Sequence, residues 1–335
     1  MTSQAALKQA NTASLDALYG LVQSDLRRVD DLILGRVREE IPLIHGVAQH
    51  IIASGGKRIR PALLLISAQL CGYTGERHIR LAGAVEFIHT ATLLHDDVVD
   101  ESRLRRGLAT ANATFGNKAS ILVGDFLLGQ AFQLMVGDGS LKSLKILSDA
   151  AAIIARGELL QMMTEGEPAT AIATYLEVIS AKTAVLFSAA CELGAVVAGT
   201  DARETPLREF GSHIGMAFQL IDDALDYAAN QVKLGKTVGD DFREGKITLP
   251  VILAYGDGNP EEKAFWQRTL GSREQEPNDL ATAQRCLQKH DAIARTIALA
   301  GEYCHKARQS LSGFAAGPAR AAMLDIVDFC AARSY

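Results

Sequence analysis

Six aspartates in two copies of one motif are the residues whose spacing most clearly indicates chemistry. The motif is Asp-Asp-x-x-Asp, at positions 96–100 and again at 222–226. On a helix its first and last carboxylates are i and i+4, so they share a face and repel each other. Apolar residues surround both copies, and partial burial raises the cost of that repulsion unless a cation is bound.

Hard oxygen ligands of this kind favour Mg²⁺, which is often held by one or two carboxylates together with substrate phosphates. One copy alone would also be compatible with a solvated helix face, but two copies in apolar sequence favour a metal. The predicted ligands are Asp96, Asp97, Asp100, Asp222, Asp223 and Asp226.

Cations beside glycines form the second signal. Residues 55–61 read GGKRIRP, and the two glycines let the backbone approach a ligand closely. Such a segment suits a diphosphate, because Lys and Arg are the usual phosphate-binding side chains. His89 lies two helical turns before Asp96 and could donate to a phosphate, although a satisfied core histidine is an equal alternative. Taken alone, Arg58 or Lys182 would be interpreted as a solvated surface cation.

Further cations flank both aspartate motifs. Arg105 and Arg106 follow the first motif within two to three helical turns, and Lys182, Lys236 and Lys246 lie on either side of the second. The joint pattern of carboxylates and cations predicts a site for a metal and a diphosphate.

Long apolar segments with helical periodicity must position these residues. Proline is absent between positions 61 and 168, 168 and 206, and 206 and 250, so long helices are permitted. Residues 82–94 and 150–160 are apolar nearly all round, which predicts helices enclosed by others. The expected fold is an all-α multi-helix bundle in a single domain, 1–335. Residues 1–15 are expected to be flexible, and residues from about 256 to 335 to form peripheral helices.

Composition limits the partners and the compartment. A net charge of −5 without a basic stripe argues against nucleic acid. Five cysteines with no C-x-x-C pair fit a reducing compartment. No leader and no 18-residue apolar run are evident, so a cytoplasmic protein without a membrane span is predicted. Walker A, G-x-S-x-G, H-E-x-x-H and Rossmann signatures are also missing.

These motifs together resemble the trans-isoprenyl diphosphate synthases (polyprenyl synthetases), particularly the bacterial octaprenyl branch. The resemblance rests on GGKRIRP (55–61), EFIHTATLLHDDVVDESRLRRG (86–107), GDFLL (124–128), GELLQM (157–162), FQLIDDALDY (218–227) and LGKTVGDDFREGKITLP (234–250). It implies an isoprenoid synthase fold with a central cavity, and it weakens after about residue 256.

The resemblance implies roles for individual residues. Lys57, Arg60, His89 and Arg106 would bind isopentenyl diphosphate, and Arg105 the allylic diphosphate. Both aspartate motifs would coordinate Mg²⁺. The positions matching contacts to the allylic diphosphate or its cation are Lys182, Thr183, Gln219, Lys236 and Lys246. Residues 230–246 would form a closing lid, in which Asp240 and Asp241 would support the metal ligands, although ordinary loop charges are an equal alternative for these two.

The implied reaction is sequential head-to-tail (1′–4) condensation of isopentenyl diphosphate onto farnesyl or geranylgeranyl diphosphate. Metal and cations promote loss of the allylic diphosphate, and that diphosphate then accepts the proton. Small residues one turn below the first motif, Ala91 and Thr92, imply a long product, because short-chain relatives have an aromatic there. Ile88 would continue the tunnel wall, and Phe132 and Met135 are floor candidates, although core packing is the stronger alternative for these three.

Several alternatives stay open at this stage. The product could be octaprenyl, nonaprenyl, decaprenyl or shorter. A terpene cyclase would usually lack the second aspartate motif and GGKRIRP, and a non-catalytic partner subunit would usually lose aspartates. The resemblance also implies a homodimer, a role in ubiquinone or menaquinone side-chain synthesis, and a transient membrane contact for product release.

Overall fold

The computed structural model describes residues 2–38, 41–53, 56–105, 107–228 and 238–332, and in these ranges the chain is almost entirely helical. The predicted all-α fold is confirmed. The helices of the first part are α1 Thr2–Val37, α2 Pro42–Ala53, α3 Ile59–Leu70, α4 Arg77–Val99, α5 Ala111–Phe115, α6 Asn117–Asp138 and α7 Leu141–Thr164. Strands β1 (Leu104–Arg105) and β2 (Leu108–Ala109) form a small antiparallel hairpin, which the sequence did not predict.

The remaining helices are α8 Ile172–Ile179, α9 Val185–Ala198, α10 Asp201–Asp226, α11 Asp240–Glu244, α12 Leu249–Asp257, α13 Pro260–Trp266, α14 Asp279–Lys289, α15 Ala292–Ser310 and α16 Pro318–Ala332. Two π-turns, Ser180–Ala184 and Gln267–Gly271, join α8 to α9 and follow α13. Helix α1 begins at Thr2, and the flexibility of residues 1–15 stays a prediction.

The chain divides into two compact units. The first contains Met1–Ala151, Leu186–Gly211 and Ser310–Ile326, and the second contains Ala152–Val185, Ser212–Gln309 and Val327–Tyr335. The assignment of the whole chain to a single domain stays a prediction.

Helix α4 is the centre of the first unit. Residues 81–88 along it are all buried, which confirms that the segment 82–94 is enclosed by other helices. Close approach requires glycine at two helix contacts. A Cβ on Gly83 would lie 2.7 Å from Leu32 Cδ2, and a Cβ on Gly194 would lie 2.6 Å from the backbone nitrogen of Ala68. The first contact packs α4, which carries the first aspartate motif, tightly against α1, and the second packs α9 against α3.

Helix α7 differs from its prediction. Residues 150–160 were expected to be enclosed, but Ile153 and Leu159 are 42% and 59% exposed. A helix that is apolar on all faces is usually packed against other helices or a partner on every side. In the described part of this chain, α7 is covered on one side only.

The core of the second unit contains Trp266, Tyr227, Phe242 and Leu287, which are all nearly inaccessible to solvent. Residues of α13 and α14 therefore pack with the residue that follows the second aspartate motif. Gln284 Nε2 also donates to the Tyr227 carbonyl at 3.1 Å. The helices after residue 256, expected at the periphery, contribute core to this unit.

Glu262 connects α13 to the end of α14. It forms a capping box with Asn259, and its carboxylate lies 2.6 Å from Lys289 Nζ and 3.0 Å from His290 Nε2. The hydrogen bond from Lys289, followed by that from the Asn259 backbone, lowers the pKa of Glu262 to about 2. A lowered carboxyl pKa contributes stability above the unfolded value of about 4.3, and this contribution is lost as pH falls towards 2.

We expect Glu262→Gln to lower the free energy of unfolding at pH 7 by on the order of 1 kcal/mol, after allowance for solvent screening. The difference between the variant and the wild type should shrink as pH falls from 4.5 to 2. Urea unfolding of both proteins across this pH range measures the difference in unfolding free energy. Glu261→Gln, on the same helical turn, is the control. Equal pH profiles for Glu262→Gln and wild type would contradict the assignment.

Candidate active site

The first aspartate motif lies where α4 ends. Asp96 and Asp97 are in its last turn, and Asp100 caps it with a backbone N–H bond to the Asp96 carbonyl. The next residue, Glu101, has a φ of 51°, a left-handed conformation that reverses the chain. Asp97 is buried, whereas Asp96 and Asp100 are half-buried. The motif therefore presents two partly accessible carboxylates and one enclosed carboxylate.

Arg105 returns to this motif by a different route from the predicted one. The helix does not continue for two to three turns past Asp100; instead β1 carries Arg105 back to Asp97. Its Nε and Nη2 donate to Asp97 Oδ1 at 2.9 and 2.7 Å. Burial favours the neutral form, but the bonds to Asp97 and the charges of Asp96 and Asp100 outweigh it and raise the pKa of Arg105. Arg105 is therefore a fixed cation beside the motif. Arg106 lies outside the described residues.

The GGKRIRP segment and α4 bring further cations together in the first unit. Arg60 Nη1 lies 3.0 Å from His89 Nε2, and its guanidinium stacks 4.6 Å above the ring of Phe187. Lys57 is exposed, and its carbonyl accepts a hydrogen bond from Tyr19. Three of the four predicted isopentenyl diphosphate residues thus belong to this unit, and two of them are in contact.

Arg58 has a structural partner rather than a solvated position. It pairs with the buried carboxylate of Glu86 and lies 3.5 Å from Asp30. Burial raises the pKa of Glu86, while the charge of Arg58 opposes that rise. Arg58 also has a φ of 46° at the N-cap of α3. This ion pair fixes the conformation of the segment that carries Lys57 and Arg60.

We expect Arg58→Met to cost about 3 kcal/mol of unfolding free energy, because Glu86 is left buried without its partner. Lys57→Met is the matched control: the side chain is exposed, so stability should change by no more than about 0.5 kcal/mol while isopentenyl diphosphate binding weakens. Denaturant unfolding of both variants separates the two roles. Equal losses of stability in the two variants would contradict a structural role that belongs to Arg58 and not to Lys57.

The second aspartate motif occupies the last turn of α10, in the second unit. Asp223 is buried, and its two oxygens accept from Gln219 Nε2 at 2.7 Å and from the Tyr175 hydroxyl at 2.5 Å. Asp226 accepts the backbone N–H groups of Asp240 and Asp241 at 3.2 and 3.0 Å. Asp222 is half-buried. Two of the three carboxylates are thus oriented by the protein itself.

Negative charge is crowded around this motif. Burial raises the pKa of Asp223 to about 6, opposed by the bonds from Tyr175 and Gln219 and assisted by its neighbouring aspartates. Burial, Asp226 and Asp223 likewise hold the pKa of Asp241 well above its usual range, opposed by Lys246. Buried carboxylates this close together can all be ionised only when a cation is bound beside them.

Lys182 and Thr183 lie on the π-turn Ser180–Ala184. Lys182 Nζ donates to Gln161 Oε1 at 2.9 Å and pairs with Glu158 Oε2 at 2.6 Å. Thr183 Oγ1 donates to Gln219 Oε1 at 2.9 Å. A chain of contacts therefore runs from Thr183 through Gln219 to Asp223.

The predicted lid is only partly described. Lys236 lies outside the described residues, as does most of the segment before residue 238. Lys246 forms an ion pair with Glu244 at 2.7 Å. Gly239 and Gly245 flank α11 with φ values of 81° and 73°, which glycine adopts without strain. Closure of this segment stays a prediction.

The chain-length candidates have different environments. Ile88, Ala91 and Met135 are buried, and Thr92 is half-buried with its Oγ1 bonded to the His89 carbonyl at 2.8 Å. Phe132, in contrast, is 48% exposed. A floor role for Phe132 and Met135 stays a prediction, and within this chain Phe132 faces outward.

Several functional contacts were not predicted from the sequence. Tyr175 is 48 residues before Asp223, and no local signal connects them. Glu158 and Gln161 are in GELLQM, which was recognised as a motif without a role for either residue. Glu86 opens another recognised motif, and a carboxylate in an otherwise apolar helix is a signal that could have indicated its buried pairing with Arg58.

In the described part of the chain, no three His, Cys, Asp or Glu side chains are grouped closely enough to hold an ion by themselves.

Two helical stretches of the described chain, Asn117–Asp138 and Ile172–Ala198, are long and apolar enough to cross a membrane by length and composition. About half of the first and 61% of the second is buried in the fold. Core helices of soluble proteins pass the same test, so these helices are weak indications of a span.

Comparison with known proteins identifies the family. The polyprenyl synthetase family profile matches residues 41–287. Octaprenyl diphosphate synthase of Haemophilus influenzae is 41% identical over 98% of this chain and 100% of its own length, and that of Escherichia coli is 48% identical over 74% and 77%. The structure is similar to a polyprenyl synthase from Caulobacter crescentus CB15 complexed with calcium and isoprenyl diphosphate, with a TM-score of 0.92, 46% identity, and coverage of 96% and 98%.

The match extends over most of the chain, and the relatives carry all-α folds with the same activity class. Both predictions made from the motifs, the family and the enzyme class, are confirmed. This chain belongs to the polyprenyl synthetase family, whose members are prenyltransferases that use isoprenyl diphosphates.

Proposed function

We propose that this chain is a Mg²⁺-dependent synthase of octaprenyl diphosphate. It adds isopentenyl diphosphate repeatedly, by 1′–4 condensation, to a farnesyl or geranylgeranyl diphosphate primer. The octaprenyl product rests on the named relatives and on the small side chains of Ala91 and Thr92. The observation that carries the metal is the crowding of buried carboxylates at the second motif, where desolvation and like charges raise the pKa of Asp223 and Asp241.

The ligands we assign to Mg²⁺ are Asp96, Asp97 and Asp100 in the first unit and Asp222, Asp223 and Asp226 in the second. When bound, Mg²⁺ stabilises the negative charge that develops on a departing diphosphate. Arg105 holds Asp97 in one orientation, and Tyr175 and Gln219 do the same for Asp223. Fixed ligands lower the reorganisation cost of the reaction.

In the first unit, Lys57, Arg60, His89 and Arg106 bind isopentenyl diphosphate. The hydrogen bond that Arg60 donates to His89 Nε2 keeps the two side chains next to each other, and stacking on Phe187 restricts the guanidinium further. Such positioning restricts the orientation in which isopentenyl diphosphate binds. Arg105 contributes its positive charge to the allylic diphosphate.

In the second unit, Lys182, Thr183, Gln219, Lys236 and Lys246 contact the allylic diphosphate or the cation that forms when it leaves. Lys182 and Gln219 already have fixed partners, so their donors and dipoles are oriented before substrate binds. No side-chain base is needed, because the released diphosphate accepts the proton. Exclusion of water protects the carbocation.

Two further properties belong to this proposal. The apolar residues exposed along α6 of the first unit fit a second copy of the chain, which makes the enzyme a homodimer; they include Leu122, Phe132 and Val136. We also propose that the enzyme acts in the cytoplasm, contacts the membrane transiently to release product, and supplies ubiquinone side chains.

Incorporation of labelled isopentenyl diphosphate into solvent-extractable prenyl diphosphate tests the proposal. We expect incorporation with Mg²⁺ and farnesyl diphosphate and its loss with excess chelator, regained when Mg²⁺ is restored. Incorporation unaffected by the chelator would contradict the metal assignment.

A further inference from the structure

The π-turn at Ser180–Ala184 interrupts an otherwise continuous helix from Ile172 to Ala198. Its defining bond runs from the Val185 N–H to the Ser180 carbonyl. A π-turn accommodates one extra residue in the helix and is frequent at functional sites. Here it contains both Lys182 and Thr183, so the irregularity and the predicted diphosphate contacts coincide.

Helix α7 contacts this turn so closely at position 157 that only glycine fits there. A Cβ on the buried Gly157 would lie 2.7 Å from Ala181 Cβ and 3.2 Å from the backbone nitrogen of Lys182. The backbone of the turn cannot move aside as a flexible side chain could. Gly157 therefore permits the contact that sets the distance between α7 and the turn.

The same turn of α7 also directs the Lys182 ammonium. Glu158 and Gln161, three residues apart on one helical face, accept from Nζ at 2.6 and 2.9 Å. An ammonium has three N–H donors, so these two acceptors leave one donor for a substrate oxygen and fix its direction. Side chains of Lys182 and Glu158 are only 17% and 26% exposed, which limits screening by solvent.

We propose that Gly157, Glu158 and Gln161 are positioning residues that aim Lys182 at the allylic diphosphate. This inference rests on the proposed function, because it takes Lys182 as a diphosphate contact. Thr183 extends the arrangement through Gln219 to Asp223 in the same unit. The close contact at Gly157 thus fixes Lys182 relative to the second aspartate motif.

A double-mutant cycle tests the action of Gln161 through Lys182. We expect Gln161→Ala to lower kcat/KM for farnesyl diphosphate about tenfold, and to have no further effect in a Lys182→Met background. Gln161→Glu, which keeps an acceptor at this position, should retain activity. KM for isopentenyl diphosphate and the thermal midpoint should stay unchanged in Gln161→Ala. Independent effects of the two substitutions would overturn the proposal.

Gly157→Ala tests the close contact, with Gly301→Ala as matched control. A Cβ on Gly301, in α15 of the same unit, meets no atom of the described residues within 4 Å. We expect Gly157→Ala to lower kcat/KM for the primer about 100-fold, the scale expected for a displacement of about 1 Å, and the control to leave it unchanged. Wild-type activity in Gly157→Ala would overturn the role of Gly157.

Failure of the proposed function and failure of the positioning role would give different results. If the wild type incorporates no isopentenyl units, the proposed function fails. If the wild type is active but the Gln161 and Lys182 effects simply add, only the positioning role fails. The cycle uses Gln161, so it remains decisive even if Gly157→Ala does not fold.

Discussion

Replacement of Asp96 by alanine should lower turnover about 1000-fold without lowering stability. Loss of a Mg²⁺ ligand removes on the order of 4 kcal/mol of transition-state stabilisation, which corresponds to that factor in rate. Asp96 shares a helical face with Asp100, and like charges at i and i+4 destabilise a helix by a few tenths of a kcal/mol. Loss of this repulsion offsets the loss of attraction between Asp96 and Arg105, so the stability of the metal-free protein should stay within about 0.5 kcal/mol of the wild type.

Steady-state incorporation of isopentenyl diphosphate and thermal unfolding without metal measure the two effects. Asp149→Ala is the control, because this exposed aspartate on α7 pairs, among the described residues, with Lys145 four residues away. Such a surface pair contributes less than about 1 kcal/mol. A variant that loses stability in proportion to activity would indicate a structural role for Asp96, and one that retains turnover would exclude it as a ligand.

The second large effect concerns product length. Thr92→Phe should eliminate the full-length product and replace it with short prenyl chains, because an aromatic ring one helical turn below the first motif would obstruct the growing chain. Thr92 is half-buried, so a larger side chain there disturbs the packed core less than one at a fully buried position. Ala91 is fully buried, and an aromatic there should also cost about 1–3 kcal/mol through overpacking.

Thr92→Val provides the matched control for shape. It removes the hydrogen bond from Oγ1 to the His89 carbonyl without adding length to the side chain. We expect this variant to make the wild-type product. Chromatography of dephosphorylated products from equal amounts of the three proteins gives the result. A full-length ladder from Thr92→Phe would show that the chain grows along another path.

The parts of the site that local sequence encodes were predictable. Both aspartate motifs, His89 and the GGKRIRP segment are short patterns on or beside periodic helices, and the structure has helices at each. The path of Arg105 was not predictable, because it depends on the left-handed Glu101 and a two-residue strand pair. Helical periodicity gives no warning of a single residue with positive φ.

Contacts between distant segments of the chain also could not be predicted from the sequence. Tyr175 and Asp223 are in different helices, and Arg58 precedes α3 whereas Glu86 is in α4. Nothing in the local sequence patterns specifies these partners. The π-turn is a similar case, since its extra residue is stabilised by the close approach of Gly157 and by the two acceptors on α7. Tertiary packing decides such features.

The size of the product made by the purified chain alone is the most direct test of its function. The assay contains Mg²⁺, farnesyl diphosphate and labelled isopentenyl diphosphate, and the extracted prenyl chains are sized by chromatography. We expect a ladder that ends at eight isoprene units; an end at nine or ten would keep the reaction and change the product. No incorporation by the folded chain, even with geranylgeranyl diphosphate as primer, would contradict a self-sufficient synthase and favour a partner subunit of a heteromeric enzyme.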